Sequence, residues 1–338
     1  NQMDSRGGLW IPSALTIILA GELKCLSRKG CDRPSPGTVT STGKINPMTS
    51  TTPQLNPHDD VLFLRPTRGL ASLNLKDLWV YRELVFFMVW RDLKVRFKQT
   101  LLGATWAILQ PIVQMVIFTL LFSGVAKLSS DGLPYPLFNY AALLPWGLFS
   151  KALGDAGRSL VTNRSMITKV YFPRLVIPVS SVISGLVDFA IAFAVFIGII
   201  TYYHFNTTAN FDFHFTPALL TLPLFLLLAM ITSLGVSLWA SAMNVMYRDV
   251  GYVIPFLTQI WFFITPIVYS ATEISGKWQL VYAINPMTGV VEGFRWALFG
   301  TTYTHMSMLA VSTVVSVVLL VSGLFYFRSM ERSFADEI

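Results

Sequence analysis

The sequence predicts an all-α polytopic membrane protein. It has six transmembrane helices per chain, an N-terminal amphipathic interfacial helix and two short periplasmic helices before the last span. Three observations carry this prediction. Of the 338 residues 53% are hydrophobic and 13% charged, where a soluble domain carries roughly 25% charged residues. The mean hydropathy is +0.57, and the apolar residues come in long blocks, not in short alternations, which excludes a barrel and leaves helices to satisfy the backbone in lipid. The surplus cations, a net charge of +7, crowd on alternate connections between the blocks, as a topology signal does.

Residues 1–74 read as a tail rich in Ser, Thr, Pro and Gly. Its one apolar run, 9–20, is too short for a bilayer, which needs about 20 residues. Met48 opens a polar segment that leads into the membrane region, so the expectation is a native start at Met48, with 1–47 translated from non-coding sequence. Both cysteines, Cys25 and Cys31, lie in this tail, so no disulfide framework is expected in the membrane region. The stretch Gly37 to Ile45 resembles a phosphate loop but has five residues between its glycines, and Ile follows Lys44. A P-loop needs four, then Ser or Thr to hold Mg²⁺. ATP hydrolysis by this chain is therefore not expected, and the scattered His58, His204, His214 and His305 suggest no metal site.

Residues 75–100 read as a helix lying in the cytoplasmic headgroup layer. Arg91, Lys94 and Lys98 share one face, Arg96 adds a further cation, and Trp90 heads a group of interface-seeking rings. A plain basic anchor is the bland alternative. The spans follow at about 101–126, 138–161, 175–203, 217–246, 254–271 and 306–327, the fifth of marginal length. In the first, Gln110 and Gln114 lie four apart beside Pro111. In the second, Lys151 and Asp155 are also four apart; a mutual ion pair and a pore role both remain open. Asp188 lies midway along the third, where a charge costs on the order of 3 kcal/mol and must face a cavity or a partner. Ser233, Ser237 and Ser241 recur every fourth residue in the fourth span, a packing pattern.

The connection 163–174 carries Arg164, Lys169 and Arg174 together with Tyr171 and Phe172. These rings either dock into a partner's groove or dip into the bilayer interface, and the residues alone leave both open. Arg248 and Asp249, in the next connection on that side, either cap helix ends or bind a partner. The fifth span is aromatic and proline-broken. With Trp106, Gln110 and Gln114, its Gln259, Trp261, Phe262, Phe263, Thr265 and Tyr269 suit a passage where rings stack on sugar faces while the amides and the Thr265 hydroxyl bind sugar hydroxyls. Helix packing is the plainer alternative for any single ring. Asn285-Pro286 divides the stretch before the sixth span into two amphipathic pieces bearing Trp278, Tyr282, Glu292 and Arg295. Cations before the first span and in the second and fourth connections place both termini in the cytoplasm.

The stretches LVFFMVWRDLKVRFKQTLLGATWAILQP (84–111), LPWGLF (144–149), KVYFPR (169–174), YRDV (247–250), FITPIVY (263–269) and NPMTGVVEGFRWALF (285–299) resemble the permease subunits of polysaccharide ABC exporters of the ABC-2 type. The resemblance covers about four-fifths of the chain, and 101–338 corresponds to the family's transmembrane domain. It implies a homodimer in a bacterial inner membrane, bound to two cytoplasmic ABC ATPase subunits that hold ATP and Mg²⁺. The substrate would be a lipid-linked polysaccharide, with no nucleic acid as partner. It further implies that 163–174, with Arg248 and Asp249, couples to the ATPase; that Trp90, Arg91, Lys94, Arg96 and Lys98 belong to an interfacial gate helix; and that Trp278, Tyr282, Glu292 and Arg295 belong to a periplasmic gate. It tilts Tyr171 and Phe172 toward partner docking. Export of a drug or another lipid is an alternative. A membrane-embedded glycosyl- or acyltransferase is another, but its candidate acids Asp155, Asp188 and Glu292 look isolated in sequence.

Overall fold

Each apolar block folds as a helix close to the bounds its hydropathy sets. The computed structural model describes residues 75–98, 104–125, 130, 132–205, 216–271, 276–300, 306–331 and 333–334. The expected tail, 1–74, lies outside them. Two helices precede the first span, α1 (Leu75–Val80) and α2 (Arg82–Lys98). The first span is α3 (Ala104–Phe118), which widens into a π-helical stretch at Thr119–Val125. The second is α4 (Tyr135–Thr162), followed by the short α5 (Arg164–Lys169). The third is α6 (Val176–Phe205). The fourth is a 3₁₀ turn, Pro217–Thr221, running into α7 (Leu222–Met246). Next come α8 (Val250–Ile264), α9 (Gly276–Ala283), α10 (Pro286–Phe299) and α11 (Met306–Met330). No strand occurs among the described residues.

Among the described residues, four segments can cross a membrane by length and composition: Thr105–Ser123, Val176–Phe205, Pro217–Met246 and Met306–Met330. The α4 helix has 28 residues, ample length, but bears Lys151, Asp155 and Arg158. The fifth block is helical only to Ile264. Thr265 is extended (φ −83°, ψ 137°) because it precedes Pro266, whose ring disfavours helical geometry in the residue before it.

Helix α4 is the hub, packing on α6 and α7, while α7 packs along α11 and α2 lies against α6. The α7–α11 contact is close because Gly235 and Gly323 let the backbones meet. A Cβ on Gly235 would stand 2.7 Å from the Leu320 backbone nitrogen. Ser233, Ser237 and Ser241 are fully buried, and Ser237 donates to the Ala152 carbonyl at 3.3 Å. The serine ladder of the fourth span is thus an internal packing face.

Candidate functional site

Two cavities open along the inner sides of α2, α3, α4, α6 and α8. One, of about 650 Å³, is lined by Arg96, Trp106, Gln110, Gln114, Lys151 and Asp188, among others. The second, of about 960 Å³, is lined by residues including Arg91, Asp92, Gln114, Asp155, Gln259, Phe262 and Phe263. Arg96, Gln114, Trp146 and Ser150 border both. Helix α3 delivers Trp106, Gln110 and Gln114 to this space because each follows the last by about one turn. Trp106 is 56% exposed.

The electrostatic centre of these cavities is a four-residue cluster. Arg96 Nη1 donates to Asp188 Oδ2 at 2.5 Å, and its Nη2 donates to Asp155 Oδ2 at 2.9 Å. Lys151 Nζ lies 3.3 Å from Asp188 Oδ2. Two cations and two carboxylates from α2, α4 and α6 thus neutralise one another. That relieves the cost of carrying charge at membrane depth. Lys151 and Asp155 do not pair with each other despite their spacing; Lys151 turns to Asp188 and Asp155 to Arg96. Asp155 and Asp188, isolated in sequence, meet at one guanidinium. Arg91, by contrast, folds back on its neighbour Asp92 at 2.8 Å. Lys94, Lys98 and Trp90 are exposed, Trp90 at 58%.

Two rings expected in the passage are used elsewhere. Trp261 donates through Nε1 to Asn285 Oδ1 at 2.8 Å and meets the Phe149 ring edge-on. Tyr269 donates to the Ile264 carbonyl at 3.3 Å. Neither lines the two cavities. Asn285 Nδ2 also donates to Thr265 Oγ1 at 2.9 Å, and Asn285 caps α10 through Met287 N. The residue that breaks the outer stretch therefore also holds the end of α8.

The outer helices are centred on Arg295, which is 2% exposed. Its guanidinium donates to the carbonyls of Phe138, Pro266, Ile267 and Tyr269 and to Glu292 Oε1 at 2.8 Å. It also lies 3.6 Å from the Phe138 ring centroid. The helix break at Pro266 leaves carbonyls without helical donors, and Arg295 supplies them. Trp278 is exposed and Tyr282 half-buried, and Gly300, at φ 63°, ends α10 in the left-handed conformation glycine favours.

On the opposite side the adjacent rings separate. Tyr171 is 80% exposed, whereas Phe172 is 6% exposed and packs in a cluster with Met88, Ile167 and Phe334. Phe172 therefore anchors the connection from within and does not present a docking surface. Arg164, Lys169, Arg248 and Asp249 are exposed. Asp249 begins α8 without a side-chain cap. Arg174 turns inward to Glu331, a partner that sequence reasoning missed because it lies at the far end of the chain.

The profile of the ABC-2 type transporter family matches residues 83–299. The chain is 28% identical over 266 residues to a protein of Myxococcus xanthus named O-antigen export system permease protein RfbA, covering 78% of this chain and 98% of that protein. A Klebsiella pneumoniae protein of the same name is 26% identical over 266 residues, covering 78% and 99%. The polysialic acid transport protein KpsM of Escherichia coli is 25% identical over 249 residues, covering 72% and 92%. The matched span holds nearly all of α2, the cavities with their charge cluster, and helices α9 and α10, and the chain belongs to the ABC-2 type transporter family of multi-pass membrane proteins.

Proposed function

We propose that this chain is the membrane-spanning permease subunit of an ATP-driven exporter, moving a lipid-linked polysaccharide of O-antigen type from cytoplasm to periplasm. It acts as a homodimer in a bacterial inner membrane, crossing six times per chain with both termini in the cytoplasm. Two copies of a separate ABC ATPase supply the energy and hold ATP and Mg²⁺. The observation that supports this reading most is the lining of the two adjacent cavities. Trp106, Phe262 and Phe263 offer flat apolar faces, while Gln110, Gln114 and Gln259 offer amide donors and acceptors. A glycan chain needs weak, repeated contacts of both kinds so that it binds each unit without being trapped. Relatives named for O-antigen and for polysialic acid align over 92–99% of their length, in keeping with a polymer substrate.

The exposed Tyr171, with the basic residues Arg164 and Lys169, forms the surface offered to the ATPase. Near the passage entrance, Arg96 ties the interfacial helix to α4 and α6. Movement of that helix away from α6 exchanges ion pairs within the cavity and avoids stripping a charge bare.

The test is reconstitution in vesicles with the ATPase subunit. ATP-dependent appearance of the lipid-linked glycan on the far side is expected, reduced on the order of tenfold by Trp106→Ala, since a stacking contact contributes 1–3 kcal/mol. Transport by this chain without the ATPase would count against the reading.

A further inference from the structure

The residues just beyond α11 return to the segment that carries Tyr171. Arg174 Nη1 donates to the backbone carbonyl of Glu331, and the Arg174 backbone N–H donates to Glu331 Oε1 at 3.4 Å. Arg328 holds the same carboxylate group from the other side. The Arg174 guanidinium lies 5.9 Å from the centroid of the Phe334 ring. Phe334 is fully buried, edge-on to Phe327 at 5.3 Å, in the cluster that also takes Phe172, Ile167 of α5 and Met88 of α2.

A tail that needed only an anchor would be held by Phe334 alone. Here the polar contacts converge on one residue, Arg174, at the junction between the α5 segment and α6. Glu331 brings negative charge to the start of α6, the end of the helix at which its dipole favours an anion. Phe172 and Phe334 share one buried cluster, so Tyr171 is set from behind by a layer that the tail completes.

We propose that Glu331 and Phe334 form a brace that positions the α5–Tyr171 segment against α11, with Arg174 and Glu331 as positioning residues. The brace stands on this geometry; what it positions, an ATPase docking surface, rests on the function proposed above. Through it, motion of the docking segment is passed to the last span as well as to the neighbouring α4 and α6.

Three variants of the full permease in lipid nanodiscs test this: deletion of 331–338, Phe334→Ala and Glu331→Gln. Amide exchange across Arg164–Lys169 is expected to quicken on the order of tenfold in the first two. Exchange within α4 and α6 is expected to stay as it was. Glu331→Gln keeps the backbone carbonyl and a side-chain acceptor but loses the charge paired with Arg328, so exchange should quicken less than in either of the other two. In complex with the ATPase, the deletion is expected to hydrolyse ATP while the glycan moved per ATP falls clearly below the wild-type ratio. Adding Arg174→Ala to the deletion should cost no more than the deletion alone. Unchanged exchange in both the deletion and Phe334→Ala, exchange quickened throughout the helices, or additive losses with Arg174→Ala would each overturn the brace. A wild-type complex that moves no glycan would overturn the transport reading instead, while the exchange result still decides the brace.

Discussion

Arg96 and Arg295 carry the same charge in two regions of one molecule and are held in opposite ways. Arg295 is enclosed by backbone carbonyls from α4 and from the broken end of α8, with Glu292 and the Phe138 ring completing its shell. Those carbonyls are fixed by the chain itself, so the guanidinium has one position. Arg96 is held by carboxylates on α4 and α6 that border open cavities, and Lys151 competes for Asp188. Its acceptors are side chains on separate helices, with a second cation ready to take one over. The region around Arg295 is built as a staple and the region around Arg96 as an exchangeable set.

The sharpest way to break this comparison is to remove each arginine in turn. Arg295→Met removes the charged donor from several interior carbonyls, so unfolding in detergent should lose about 3–5 kcal/mol. Removing only the ring beneath it, by Phe138→Leu, should cost about 2 kcal/mol, the size of a desolvated cation–π contact. Arg96→Gln should cost only about 1 kcal/mol, since partly exposed pairs contribute little, yet it should change export in the vesicle assay. If Arg295→Met and Arg96→Gln melted together, the distinction between staple and exchangeable set would fail. The smallest effect is expected from Lys151→Met, a few tenths of a kcal/mol that fades as added salt screens the cluster. A large, salt-independent loss there would place Lys151 among the fixed charges.

The helices were legible because membrane spans write their length directly into hydropathy. The third span, read as 175–203, is Val176–Phe205, and the sixth, read as 306–327, is Met306–Met330. The break in the fifth span was visible in Pro266. Partnerships between helices were not legible. The spacing of Lys151 and Asp155 suggests a pair on one helix face, but their true partners lie on α6 and α2. Tyr171 and Phe172 are adjacent and chemically similar, and only the packing of Met88 and Phe334 around one of them separates surface from core. Arg295 did leave a trace. A single arginine in the otherwise apolar α10, three residues after Glu292 and following a proline-broken segment, is what a set of unpaired carbonyls calls for. Glu331 and Phe334 left none, because nothing local ties a chain end to residue 174.

The shortness of α8 has its own consequence. Fifteen residues span ~22 Å, against a hydrocarbon thickness of about 30 Å. Set across a bilayer, such a helix is met by lipids that compress and tilt toward it, at a modest cost for each ångström of mismatch. Gln259 and Phe263, which line the second cavity, sit on this short helix, where any such thinning would be greatest.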